Sequence, residues 1–143
     1  RSMGQIQAQA ARLKYSEGET NFTLGLTELL RRLRRRSLVV VFTDFVDTVT
    51  ADLMVDNIQR LARRHLVVFV SYRDADLDRL ADQKPVEVTD LHEAVVANEF
   101  RREREAVLKR LSRLGVFHIE APTGQVTPKL LNQYMQIKRG EMV

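Results

Sequence analysis

The chain has 143 residues, of which 44% are hydrophobic and 29% charged, the proportions of a globular protein long enough to bury a core. It has no cysteine, which excludes disulfides, thiolate metal sites and cysteine nucleophiles. A net charge of +4 permits anionic partners without requiring them. No apolar run approaches the roughly 18 residues that would span a bilayer, and the opening RSMGQ lacks the apolar stretch of a signal peptide.

In chain order, Phe22, Leu26, Leu29, Leu30 and Leu33 follow the spacing of one helical face. A buried strand is expected at 38–45, where five consecutive apolar residues, Leu38 to Phe42, four of them branched aliphatics, read as covered on both faces. Met54, Val55, Ile58, Leu61 and Ala62 mark the next helix, closed by Arg63, Arg64 and His65, cations suited to its C-terminal dipole. A second strand follows at 66–72, then a short helix near 75–82, a stop at Lys84-Pro85, and a long helix near 91–114. Gly115 is placed to end that helix as the residue beyond its cap. A third strand is expected at 116–121. Thr127 and Pro128 read as the cap and first residue of the last helix, whose face carries Leu130, Leu131, Tyr134 and Ile137.

The resulting order is helix–helix–β–α–β–α–α–β–α. Strands alternating with helices imply a doubly wound parallel sheet joined by right-handed crossovers. Three strands are few for so many helices. The expectation is therefore the C-terminal portion of a larger doubly wound domain, with 1–143 as one α/β unit, or a sheet edge that a partner covers. An exposed edge of this kind also offers a route to homo-oligomers.

In such folds ligands bind at the carboxyl edge of the sheet. The first strand delivers Thr43, Asp44 and Asp47 there, the second Ser71, Arg73 and Asp74, and the third Glu120. A carboxylate beside loop hydroxyls suits Mg²⁺ with retained waters. Asp44 and Asp47 read equally well as loop or N-cap carboxylates. Their spacing of three does not match the spacing of two in haloacid-dehalogenase-type phosphatases. A response-regulator phosphoacceptor needs an acidic pair on an earlier strand, and none precedes this one. Gly18-Glu19-Thr20 has no following Gly-Lys-Ser/Thr and is not a phosphate loop. His65, His92 and His118 have no ligand spacing; His65 and His118 are expected in satisfied structural roles.

Arg31, Arg32, Arg34, Arg35 and Arg36 form the strongest charge run. It reads as a solvated helix end or as a patch for nucleic acid or anionic lipid. Aromatics make up 6% of the chain and do not interleave with these arginines, so base stacking is not suggested. The stretch RREREAVLKR at 101–110 reads as a mixed-charge helix face with internal i, i+4 partners.

The segments RRRSLVVVFTDFVD at 34–47 and LARRHLVVFVSYRD at 61–74 resemble the bacterial domain-of-unknown-function 58 family. Gly115-Val116, TPKLLNQY at 127–134 and IKRG at 137–140 agree, so the resemblance runs from about residue 17 to the C-terminus. That family is similar to von Willebrand factor A domains, three-layer Rossmann-like sheets with a metal-ion-dependent adhesion site at the carboxyl edge. The resemblance implies Asp44, within FTDF, and Thr20, within ETNF, as Mg²⁺ ligands, with Asp47, Ser71 and Asp74 on the binding rim. The Asp-x-Ser-x-Ser motif of that site is absent from the chain, so the sheet is expected to be incomplete, with about three strands.

The resemblance further implies a non-enzymatic protein–protein interaction or scaffolding module, working with a MoxR-class AAA ATPase. Full members tend to carry N-terminal membrane-spanning segments, and the expectation for this portion is a soluble domain on the cytoplasmic side of a bacterial membrane. Two other readings belong to different classes: a Mg²⁺-dependent phosphohydrolase using Asp44, and a basic nucleic-acid or anionic-lipid module using the arginine run.

Overall fold

The computed structural model describes residues 3–14, 21–43 and 48–140. Among these, six helices and three strands follow in the order α1 (Met3–Ala10), α2 (Phe22–Arg32), β1 (Leu38–Phe42), α3 (Thr48–Ala62), β2 (Leu66–Tyr72), α4 (Ala75–Asp82), α5 (Val88–Arg113), β3 (Phe117–Ala121) and α6 (Thr123–Arg139). The strands form one open sheet in the order β1-β2-β3. Both pairings are parallel, with Leu38 opposite Leu66 and Phe42 opposite Val70, and with Ser71 opposite Glu120. This is the expected α/β, Rossmann-like arrangement of a three-stranded parallel sheet.

Alternation along the strands divides the core in two. Val39, Val67 and Phe69 face the layer of α2, α3 and α5, where they meet Leu26, Met54, Ile58 and Leu111. Val68, Val70, Ile119 and Ala121 face α6 through Val126 and Ile137. β2 is buried along its first six residues, as a central parallel strand should be.

β1 departs from the expectation of a strand covered on both faces. Only Val39 is buried; Leu38, Val40 and Val41 are half-buried and Phe42 is exposed. The cause is position. β1 lies at the edge of the sheet, and α6 packs on β3 and β2 without reaching it. An all-apolar run signals a strand that can be buried on both faces, not one that is. The expected extension beyond Thr43 to residue 45 lies outside the described residues.

Helix ends follow local chemistry. The Asn21 side chain accepts the Leu24 N–H at 2.8 Å and starts α2. α4 occupies the expected 75–82 and stops before Lys84-Pro85. α5 starts three residues earlier than expected, at Val88, because Asp90 reaches back to accept from the backbone N–H groups of Val86 and Glu87, both at 3.1 Å. At its other end Gly115 has φ +76°. The Gly115 N–H bonds to Ser112 O at 3.0 Å and the Val116 N–H to Leu111 O at 3.1 Å, the two bonds of a Schellman motif.

The last helix corrects the sequence reading. α6 begins at Thr123, and Pro128 lies inside it rather than at its first position. Burial of Val126 in the α6-side core draws the preceding turn onto the sheet. Pro128 removes one i→i−4 bond, to the carbonyl of the exposed Gly124, which water can satisfy.

Candidate functional site at the carboxyl edge

The carboxyl ends of β2 and β3, with the N-terminus of α4 and the middle of α5, enclose a charged recess of about 180 Å³. Its charged side chains all have partners, some within the recess and some beside it. Arg73 Nε donates to Asp78 Oδ2 at 2.5 Å, and this bond, then the charge of Asp78, raises the guanidinium above the ordinary arginine value. Arg101 donates to Asp82 at 2.8 Å, with the same direction of shift and the same leading cause, its hydrogen bond to the carboxylate. Arg104 Nε donates to Glu120 Oε1 at 2.7 Å, and its Nη2 donates to the Tyr72 carbonyl. Asp74 is the N-cap of α4, accepting from the N–H groups of Asp76 at 2.9 Å and Leu77 at 3.2 Å.

Ser71 is fully buried, and its Oγ has no hydrogen-bond partner among the described residues. It lies one residue beyond Val70, the partner of Phe42. Thr20, Asp44 and Asp47 lie outside the described residues. Among the described residues no three of His, Cys, Asp and Glu come together as a metal-ligand group. The described carboxylates of this edge are engaged by arginines, by Lys109 in the case of Glu105, or by a helix N-terminus.

The mixed-charge face of α5 is wired differently from its sequence pattern. Lys109 pairs with Glu105 at i, i+4, 3.5 Å apart, as expected. Arg101, Arg104 and Arg110 instead reach other elements: Arg101 to Asp82 and Arg104 to Glu120, and Arg110 to both Asp52 and Asp56 of α3. The pairs are separated by 16 to 58 positions, so no local spacing rule finds them.

The basic run also divides. Arg31 and Arg32 sit in the last turn of α2, Arg32 donating to Glu28 at 2.8 Å and Arg31 lying 3.7 Å from it. Arg34, Arg35 and Arg36 are exposed between α2 and β1.

His118 has the satisfied role expected of it, its Nδ1 being 3.0 Å from Ser112 Oγ. His65 does not. It is 6% exposed and neither ring nitrogen has a partner among the described residues. It immediately precedes β2, and its backbone N–H is taken by Leu61 O at 2.9 Å.

The sheet and its carboxyl edge define an α/β protein of Rossmann-like arrangement. The chain belongs to the family described as "Protein of unknown function DUF58", whose model matches residues 3–118. The matched span begins at α1, upstream of residue 17 where the resemblance starts, and ends at His118, so the motifs at 127–140 lie beyond it. No curated protein and no solved structure matches the chain. Among the described residues no helix is long and apolar enough to cross a membrane.

Proposed function

We propose that this chain is a non-enzymatic interaction or scaffolding module of von Willebrand factor A type, and that its partner is a MoxR-class AAA ATPase. The observation that carries the reading is the N-terminal half of α5. Val88, Leu91 and Val95 are spaced i, i+3 and i+7 on one helical face and are 84%, 51% and 56% exposed. The same stretch buries Ala94 and Ala97, and Asn98 Nδ2 ties it to α4 by donating to Ala81 O at 2.8 Å. The stripe is thus held on a fixed helix. Contiguous apolar side chains of this kind mark protein contact sites.

Mg²⁺ held by Asp44 and Thr20 belongs to the same proposal. What supports it is the hydroxyl of Ser71 at the carboxyl end of β2, without a partner among the described residues, a hard oxygen donor suited to that cation. When bound, the ion would supply an open position for a partner's carboxylate.

The test is direct binding of the chain to a purified MoxR-class ATPase by calorimetry, with and without Mg²⁺. Binding that is lost in Leu91→Glu/Val95→Glu supports the reading. Binding unchanged in that variant, or no binding at all, removes it. Turnover of a phosphate ester that disappears in Asp44→Ala would replace it with an enzyme.

A further inference from the structure

We propose that the amino edge of the sheet carries a second binding site, an arginine-lined groove that takes an acidic protein segment. It lies at the opposite end of the strands from the carboxyl-edge recess and does not rest on the reading above. The groove has a volume of about 660 Å³ and is lined by Arg31, Arg34, Arg60, Arg63 and Arg64. These residues come from two separate stretches of sequence. Arg31 and Arg34 end α2 and lead into β1; Arg60, Arg63 and Arg64 end α3 and lead into β2. Packing of α2 against α3 brings the stretches together. Asn57 on α3 helps fix that packing by donating to Thr23 Oγ1 on α2 at 3.1 Å.

Helix capping accounts for only part of this charge. Two helix C-termini offer about half an elementary charge each, against five guanidinium groups. Arg34, Arg60, Arg63 and Arg64 have no carboxylate partner among the described residues, and Arg31 has only the 3.7 Å contact with Glu28. Gathering like charges in one concavity costs repulsion, which an anionic ligand removes.

The lining selects among anions. It contains arginine and no lysine, the donor whose planar fork matches a carboxylate or phosphate with two bonds. It contains no aromatic side chain, so it offers no platform on which nucleic-acid bases would stack. Leu30 and Leu33, both half-buried, contribute apolar surface beside the arginines. A polynucleotide backbone has no complement for that surface, and a flat lipid headgroup layer does not enter a concavity. A segment carrying Asp or Glu around an aliphatic side chain satisfies both the arginines and the leucines.

The test uses the full 143-residue chain and fluorescence anisotropy with a fluorescein-labelled peptide of alternating Glu and Leu. Comparison probes are the Gln/Leu peptide, an oligothymidylate of matched charge and phosphatidylserine vesicles. The acidic peptide is expected to bind in preference to all three. Arg60→Gln/Arg64→Gln should weaken it about tenfold, as loss of two ion pairs predicts. Arg35→Gln/Arg36→Gln, outside the groove and with the same change in net charge, should weaken it less than about twofold. All four side chains are exposed, and circular dichroism verifies that both variants fold. Equal weakening in the two variants, preference for the oligonucleotide or the vesicles, or no peptide binding at low salt would overturn the proposal.

Discussion

Arg104 on α5 and Glu120 on β3 meet through a 2.7 Å hydrogen bond between Nε and Oε1, with only 15% and 32% of their side chains exposed. Through Nη2 the same guanidinium also holds the Tyr72 carbonyl at the end of β2. One side chain therefore joins the long helix to the carboxyl ends of two strands. Removing one partner of such a half-buried pair leaves the other desolvated and unmatched. Arg104→Met should lower stability by about 2 kcal/mol, read from the midpoint of urea unfolding. Lys109→Met, which breaks an exposed i, i+4 pair, should change it by less than about 0.5 kcal/mol.

Gly115 is required for its backbone. A Cβ built there meets nothing within 4 Å, so Gly115→Ala carries no clash, only the cost of a left-handed L-residue at φ +76°. The expected loss is about 1 kcal/mol. A neutral result in thermal unfolding would mean that the α5–β3 turn relaxes to another conformation.

His65 is the reverse case, a polar ring buried without partners. Replacing it with an apolar residue of similar volume removes a desolvated pair of nitrogens. His65→Leu should raise stability at neutral pH by about 1 kcal/mol. A clear loss in the same unfolding assay would contradict the arrangement of the ring.

Pro128 interrupts the hydrogen-bond ladder of α6 within its second turn. Pro128→Ala restores a donor and should stabilise the chain by about 1 kcal/mol, less than the full interior penalty because the turn is near the helix start. Slower amide exchange in α6 would accompany it.

Ser71 separates a structural role from a ligand role. Without Mg²⁺, Ser71→Ala removes a buried unpaired hydroxyl and should leave stability unchanged or raise it by about 1 kcal/mol. Mg²⁺ bound to the folded parent chain should raise its melting temperature, and that rise should shrink in the variant. An equal rise in both would separate Ser71 from the metal.

Local pattern was enough for the three strands, the exact span of α4 and the turn at Gly115, because apolar period and backbone conformation are properties of neighbouring residues. The run at 38–42 showed a strand on its own terms. That it stands at the sheet edge depends on which strand β2 pairs with next and on how far α6 reaches. Pro128 looked like a helix start until burial of Val126 drew the preceding turn into α6. The carboxyl-edge carboxylates were visible in the sequence, but their engagement was not: Glu120 is bound by an arginine 16 positions away. Likewise the run at 31–36 was legible as basic, whereas its regrouping with Arg60, Arg63 and Arg64 required α2 to pack on α3. Sequence by itself determined the elements, since their causes act over a few residues. Tertiary structure decided which charges meet and which strand is exposed, since Coulomb attraction and burial depend on distance in space rather than along the chain.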